Sequence, residues 1–430
     1  MVKDIRIGII GLGTVGSGVL EILRNKQDKI ALEIGARLVV TVACDRDPAR
    51  EAIAKAGGAR SFTTDARAVV SHPDVDIVVE LIGGLEPAFS FMREALENGK
   101  HVVTANKEVI SQKGQELFDT AAKTKRDIFF EASVGGGIPI LRPLKEVLVG
   151  NDFSVVAGIV NGTTNYILTA MQQEGLSFDE ALAQAQEKGY AEPDPTADIE
   201  GDDAAAKIAI LASIAFNSRV TKPMVYKEGI SRLTSADMTY AAELGYGIKL
   251  IAYARQVDGD IITFVRPALV RKDHPLASVN GVYNAIFVEG DACGQLMFFG
   301  EGAGSLAAGS SVVGDLVQVA RNILSGSTGS IGCTCFRDLR VRPIEEIEGR
   351  YYILLRAADR PGVLARTAGC FAEENVSIAS VIQKESHGAL ADIVFMTHRC
   401  PERNLRAALA KIAELDVVSS IVNILMVLED

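Results

Sequence analysis

Between Lys188 and Leu211 the chain reads KGYAEPDPTADIEGDDAAAKIAIL, a run in which carboxylates crowd between two apolar segments. Such crowding is costly unless something cationic is held there, so the stretch is the candidate active site. Glu192, Asp194 and Asp198 fall on a loop punctuated by Pro193 and Pro195, which remove backbone donors and push the residues before them out of the helical region. A helix is expected from about Asp202. Asp203 and Lys207 are one turn apart on it, with the acid N-terminal to the base, which couples their protonation. An arbitrary pair of this kind is a solvated surface ion pair contributing a few tenths of a kcal/mol. Here Ile208, Leu211, Ala212 and Ala215 mark a buried stripe, which Ile210 and Ile214 extend toward the lysine. A partly buried lysine beside a carboxylate can donate or accept a proton.

The elements that must position this stretch begin with a strand over Ile5 to Ile10, followed by Gly11-Leu12-Gly13-Thr14-Val15-Gly16 and a helical pattern. Gly11 permits the tight turn, Gly13 lets backbone approach a pyrophosphate, and Gly16 allows close packing of helix on strand. The helix N-terminus at Thr14 and Val15 then offers backbone donors and its dipole to phosphate. A second strand, Leu38 to Cys44, ends in Asp45-Arg46. Asp45 would accept from the 2′-hydroxyl of NAD and Arg46 would neutralise the 2′-phosphate of NADP; the sequence does not choose. Alternation continues with a strand over Asp76 to Leu81, a helix from Pro87 to Asn98-Gly99, and a strand over His101 to Thr104. Lys107 follows at the C-terminal edge of an open α/β sheet, where ligands bind, although a lysine so placed is more often simply solvated. Ile128 to Glu131 reads as another strand. The glycine-rich turn after it reads as a crossover into a helix near Pro139, and its carbonyls with Glu131 are an alternative oxygen cage for a hard cation.

Past Gly150 the pattern changes to a mixed α+β arrangement. Ser154 to Val160 is a strand, Asn161 to Tyr166 a polar turn capping a helix, and Ser177 with Glu180 a capping box. Lys249 to Val257 and Ile261 to Val270 form a hairpin through Asp258-Gly259. Gly300 to Gly304, with Gly302 at its centre, leads into a helix from about Ser310 to Leu324 that is expected to return to the nucleotide-binding half. Ser325 to Ser330 reads as a flexible joint. From Tyr351 the order is strand, helix, strand, strand, helix, strand.

The 430 residues suffice for about three domains. The expected division is a nucleotide-binding domain over 1–150, completed by about 301–335, a substrate-binding and dimerisation domain over 151–300, and a regulatory unit over 345–430. A formal charge of -11 with no basic block argues against nucleic acid. Apolar runs fall short of a membrane span, and six cysteines without C-x-x-C spacing fit free thiols in a cytoplasmic protein.

GLGTVG (Gly11 to Gly16), TANK (Thr104 to Lys107), EASVGGGIP (Glu131 to Pro139), GIVNGTTNYIL (Gly158 to Leu168), KGYAEPDP (Lys188 to Pro195), DIEGDDAAAK (Asp198 to Lys207) and HPLASVNGVYNAI (His274 to Ile286) occur in this order. Together they strongly resemble the homoserine dehydrogenase family, and ADRPGVL (Ala358 to Leu364) looks like the start of an ACT domain. The resemblance implies an α/β Rossmann-type domain, an α+β catalytic and dimerisation domain and a C-terminal βαββαβ ACT domain. It implies NAD- or NADP-dependent interconversion of L-homoserine and L-aspartate 4-semialdehyde in threonine, methionine and isoleucine biosynthesis. By the same resemblance Lys207 is the acid/base with Asp203 beside it, and Glu192 takes the substrate ammonium. Gly162, Thr163, Tyr190 and Asp198 match further substrate contacts, and Lys107 matches a lysine between substrate and cofactor. Glu131, Val134, Gly136 and Ile138 match a site for sodium or a similar monovalent ion such as potassium. An amino-acid effector on the ACT domain, and a homodimer or homotetramer, are also implied. The chain departs from the family at Ala307-Ala308, where many members carry Pro-Thr before the late helix. Rival readings are a dehydrogenase for a related semialdehyde and a non-catalytic sensor of NAD(P) and amino acids, against which the intact Asp203 and Lys207 pair speaks.

Overall fold

A computed structural model describes residues 3–329, 332–383 and 389–429. They form two compact units: Met1–Phe153 with Ala209–Pro223 and Asn284–Asp338, and Ser154–Ile208 with Met224–Tyr283 and Leu339–Asp430.

The first unit is built on β1 (Lys3–Ile10), β2 (Ala36–Cys44), β3 (Ser61–Thr63), β4 (Ile77–Glu80), β5 (His101–Thr104) and β6 (Ile128–Phe129). They lie in the order β3-β2-β1-β4-β5-β6, all parallel. Ile5, Ile7, Ile9 and Ile10 of β1 are all buried, as expected of a strand covered on both faces. The order reverses direction on either side of β1, and ligands of open sheets bind outside the carboxyl ends at such a switch point. The helix Thr14–Ile34 starts there.

The late helix, Ser305–Ser325, packs on Thr14–Ile34 as expected, but it begins five residues before the expected Ser310. Its N-cap is Gly304, at φ 128° and without a side-chain cap, so no capping residue marks the start. Ala307 and Ala308 therefore lie in its first turn. The approach of the two helices is close: a Cβ on Gly18 would sit 2.1 Å from the Ser305 carbonyl oxygen, and one on Gly309 3.0 Å from the Gly18 backbone. Ser330, the last residue of the expected joint, is outside the described residues.

Two further expectations are corrected here. β6 ends at Phe129, and Glu131–Ser133 is a 3-10 turn. In place of a regular helix near Pro139 there is a short π-helical segment, Pro143–Val147. Glu131 caps this segment from its N-terminal side, its carboxylate accepting the N–H groups of Ile140, Leu141 and Arg142 at 2.5 to 2.8 Å.

In the second unit Phe153–Ile159, Tyr246–Val257, Asp260–Arg271, Val418–Val427, Tyr351–Ala358, Leu390–Thr397 and Ile378–Gln383 follow one another across a sheet. The hairpin turn is at Asp258 and Gly259, with φ 53° and 83°, the double positive φ of a type I′ turn. The C-terminal βαββαβ segment joins the same sheet, because Val418–Val427 pairs in parallel with Asp260–Arg271 through Ala268 with Met426 and Leu269 with Val427. Its own core is formed by Tyr351, Ile353, Leu355, Phe371, Phe395, Leu405, Leu409 and Ile412. Two buried polar groups tie it to the rest of the unit. Arg266, 1% exposed, donates to Glu228 and Glu402, and Asp237, 0% exposed, accepts from Tyr352 and Asn423.

Candidate active site

Phe153–Ile159 delivers the chain to Asn161, the N-cap of the helix Gly162–Glu174. The Asn161 side-chain oxygen, Oδ1, accepts from the Thr164 N–H and hydroxyl, 2.9 and 3.0 Å, which fixes the amide and aims its NH₂ outward. That NH₂ donates to Asp198 Oδ1 at 2.7 Å and to Asp203 Oδ2 at 2.9 Å. Asp203 stands in the first turn of Asp202–Ala215, and its Oδ2 also accepts from Lys207 Nζ at 2.7 Å. Lys207 Nζ donates again to the Val160 carbonyl, 2.7 Å away. The lysine and aspartate side chains are 12% and 9% exposed, so the pair is not the solvated surface pair of the ordinary case.

An ammonium carries three donors, and two of those on Lys207 are used. Among the described residues the third has no partner, which leaves a proton for an oxygen that is not part of the chain. Burial, and next the negative charge of Asp203, push the Asp198 carboxyl above the usual range. A cationic group placed against Asp198 would relieve both effects.

The remaining sequence-predicted substrate residues are less tightly gathered. Gly162 is the first residue of its helix. Thr163 donates to the Tyr190 carbonyl at 2.7 Å, and the Tyr190 ring, 45% exposed, leans on Tyr166 with centroids 5.0 Å apart. Glu192 is exposed on the proline-bounded loop, its carboxylate without a protein partner among the described residues, so the chain alone does not bring it to Lys207. Asp194 caps its own turn through Thr196.

The other predicted residues belong to the first unit. Gly11, at φ 100°, could carry no side chain, since a Cβ would lie 2.7 Å from the Leu81 carbonyl oxygen. Gly16 is closed by the Gly11 carbonyl in the same way, while the space around Gly13 is open. The loop is therefore pinned at both ends and bare in the middle, the shape required for a pyrophosphate above the N-terminus at Thr14 and Val15. Asp45 holds this loop, accepting from the Leu12 N–H at 2.7 Å and the Asp47 N–H at 3.0 Å. Arg46 beside it is exposed, with no side-chain partner among the described residues. Lys107 opens the helix Lys107–Thr124, which Asn106 caps. Gly302 lies against Asn284, whose buried amide has neither atom bonded among the described residues.

Of the four residues matched to a cation, Val134 and Ile138 are buried and the Gly136 carbonyl accepts from the Ser311 hydroxyl at 2.6 Å. The Glu131 carboxylate is taken by three backbone N–H groups, although Asp315 adjoins it, bonded to the Glu131 N–H through Oδ2 with a buried, unpaired Oδ1. Among the described residues no three His, Cys, Asp or Glu side chains converge as for a metal ion.

Sequence reasoning missed Asn161 as the bridge between two carboxylates, and the Val160 carbonyl as a lysine acceptor. The signal available was their place in the GIVNGTTNYIL motif, where Asn161 had been credited with capping alone.

The chain matches the family described as "Homoserine dehydrogenase, NAD binding domain" over residues 11–131, "Homoserine dehydrogenase" over 139–317 and "ACT domain" over 351–417. It is 43% identical to the homoserine dehydrogenase of Synechocystis sp., covering 99% of both chains, and 42% identical to that of Pseudomonas aeruginosa, covering 97% of both. Among solved structures, the homoserine dehydrogenase of Thiobacillus denitrificans superposes with a TM-score of 0.94 at 43% identity, covering 99% of both chains. A hyperthermophilic archaeal homoserine dehydrogenase mutant in complex with NADPH superposes at 0.63 and 29% identity, covering 74% of this chain and 97% of its own. With the glycine loop on a doubly wound sheet and the Asp203 and Lys207 pair behind its polar cap, the chain belongs to the homoserine dehydrogenase family of oxidoreductases.

Proposed function

We propose that Lys207 is the acid/base for interconversion of L-homoserine and L-aspartate 4-semialdehyde, with NADP the preferred partner. The observation that carries this reading is the lysine with two donors committed and one left over. When the alcohol is oxidised, the proton passes from the hydroxyl oxygen to Lys207 Nζ in its unprotonated form, whose lone pair stands where the spare N–H would be, as hydride leaves the hydroxyl-bearing carbon; in reduction the Lys207 ammonium returns the proton to the developing alkoxide. The dinucleotide supplies or takes the hydride. Asp203 and the Val160 carbonyl hold Nζ in place, and Asn161, donating to both carboxylates, lessens the repulsion between Asp203 and Asp198. Asp198, with Glu192 and Tyr190 swinging in from their exposed loop, receives the substrate ammonium, while Gly162 and Thr163 present backbone beside it. Lys107 serves where substrate and cofactor meet.

Commitment of Asp45 to backbone N–H groups, beside Arg46, exposed and without a side-chain partner among the described residues, favours the 2′-phosphate of NADP over the 2′-hydroxyl of NAD. The NADPH complex of the archaeal relative supports the same choice. Gly11, Gly13, Gly16 and Gly302 shape the cofactor cradle. A monovalent cation, sodium or potassium, is proposed at the carbonyls of Glu131, Val134, Gly136 and Ile138, where the buried carboxyls of Glu131 and Asp315 would be offset by a positive charge. A small amino acid is the proposed effector on the ACT segment. Self-association into a homodimer or homotetramer is favoured by Met297 and Phe299, exposed on the strand Gly294–Glu301. Six free cysteines favour a cytoplasmic setting.

The direct experiment is NADPH consumption with L-aspartate 4-semialdehyde, repeated with NADH and with tetramethylammonium in place of sodium and potassium. Steady turnover, faster with NADPH and slower without the metal ions, is expected. Binding of NADPH without turnover would instead assign the chain to sensing.

A further inference from the structure

Cys333 and Cys335 take no part in the dehydrogenase chemistry, and they sit among cations. Cys333 is exposed, Cys335 half-buried, and both are free thiols. With Phe118, Phe130, Lys145 and Arg219 they line a depression of about 20 Å³ in the first unit, room for about one water-sized molecule. Its two cations are held on aromatic faces: Arg219 over Phe118, 5.6 Å from the ring centroid, and Lys145 over Phe130, 5.5 Å from it. Arg219 Nη2 donates to Cys333 Sγ at 3.0 Å and to Gln115 Oε1 at 3.1 Å, while its Nε is buried without a partner among the described residues. The Cys335 backbone N–H also reaches Cys333 Sγ, 3.5 Å away. A sulfur met by donors on several sides is favoured as thiolate. The hydrogen bond from the Cys335 thiol, then the Cys335 backbone N–H and the Arg219 charge, outweigh burial and bring the Cys333 thiol down to about 5. The same hydrogen bond and burial push Cys335 up, so it keeps its proton. Burial lowers Lys145, and the charge on Cys333 is the first group to offset that.

We infer that Cys333 and Cys335 form a dithiol site that reduces hydrogen peroxide, with Cys333 as the attacking sulfur and Cys335 as the resolving one. The pair is asymmetric in the way this chemistry needs: one sulfur is accessible and nucleophilic, and the other is protonated, adjacent and partly sheltered. The Cys333 thiolate attacks one peroxide oxygen, the O–O bond breaks, and the hydroxide that leaves takes a proton from solvent. Cys333 is then a sulfenic acid. The Cys335 sulfur attacks it, the S–S bond forms as the S–O bond breaks, and the departing hydroxide leaves with the Cys335 proton as water. Two electrons pass from the two sulfurs to one peroxide, and two waters are released. The unspent Arg219 Nε–H is a donor available to the first hydroxide. The thiol segment is anchored while this happens: Asn217 donates to the Thr334 carbonyl at 3.1 Å, the Arg337 N–H donates to the Asn217 carbonyl at 2.8 Å, and Cys335 Sγ lies 3.6 Å from the Ser213 carbonyl. A metal ion would add positive charge beside Arg219 and Lys145, so the cations that favour peroxide chemistry disfavour metal binding.

The test uses the full chain, reduced and then freed of reductant, and adds one equivalent of hydrogen peroxide at about pH 6, where an ordinary thiol is almost wholly protonated. The tryptic fragment 322–337 carries both sulfurs and no other cysteine, so its loss of two hydrogens in mass spectrometry reports the new bond. That loss is expected ahead of any change at Cys293, a partly exposed thiol outside the cluster. In Cys335→Ser the fragment is expected to stop at a sulfenic acid that dimedone traps, and in Cys333→Ser to stay unchanged. Arg219→Gln is expected to slow the first step about tenfold or more, the scale of a lost hydrogen bond to a charged group. Cys333 oxidised no faster than Cys293, a fragment joined to a second copy of itself in place of the internal bond, or an Arg219→Gln rate equal to that of wild type would each overturn the proposal.

Discussion

Asn161 does two jobs with one side chain: its oxygen caps a helix, and its NH₂ bridges two carboxylates and lessens their repulsion. Asn161→Ala is expected to lower kcat/KM about tenfold to hundredfold, the scale of a hydrogen bond to a charged group, while circular dichroism shows the fold retained. The Asp203 and Lys207 pair was legible in the sequence because residues four apart on a helix must be neighbours. Asn161 was not, since its carboxylate partners lie 37 and 42 positions away and only the finished fold brings them within reach. A second lysine escaped notice for the same reason. Lys249 is 1% exposed, its ammonium bonded to the Val279 carbonyl, Asn280 and Asn165 and, among the described residues, to no carboxylate, and burial pulls its pKa down to about 8. Its folded value lies below the ordinary 10.5, so the charged form is penalised in the fold. The penalty is fully present below about pH 8 and fades as pH rises toward 10.5. The stability of wild type relative to Lys249→Met, measured by urea denaturation, should therefore increase from pH 8 to pH 10; a difference independent of pH would contradict this.

At the scale of elements, local chemistry was readable wherever it was self-contained. The Ser177 and Glu180 capping box and the Asp258-Gly259 turn appear where the residue types demand them. Elements shaped by distant partners were not. The segment before Pro143–Val147 is capped by the carboxylate of Glu131, and the first turn of the helix Ser305–Ser325, which begins at an uncapped glycine, is held by Thr14–Ile34 through the Ser305 hydroxyl and the Thr14 carbonyl, 2.8 Å. That helix pair yields its own prediction. Gly18→Val would drive a branched side chain into the Ser305 backbone, and overpacking of this kind costs about 1–3 kcal/mol. A thermal midpoint lowered by several degrees is expected, with loss of NADPH affinity, because the same helix presents its N-terminus to the phosphates; an unchanged midpoint would show that the two helices do not pack this tightly.

For the whole molecule, the order of motifs was sufficient to read an α/β nucleotide-binding domain, an α+β domain and a βαββαβ tail, as the family matches bear out. What it concealed is how the tail is attached. A regulatory unit that merely followed a flexible joint could be removed over 345–430 without touching the chemistry. In the structure that cut takes Glu402 from buried Arg266, and Asn423 and Tyr352 from buried Asp237. Arg266 keeps Glu228 and Asp237 keeps Thr234, but each loses partners in a dry interior, and removing one partner of a buried charge costs up to about 3–5 kcal/mol, so the truncated chain is expected to lose soluble, cooperative folding, and a fully active truncation would contradict that.

The account stands most directly on a comparison of Lys207→Ala with wild type, reading homoserine-dependent NADP reduction alongside a fluorescence titration of NADPH. With the lysine at the proposed proton-transfer site and the glycine loop at the proposed cofactor cradle, turnover should fall about 10²- to 10⁴-fold with NADPH affinity nearly unchanged. Comparable turnover in the two proteins would show that another group moves the proton.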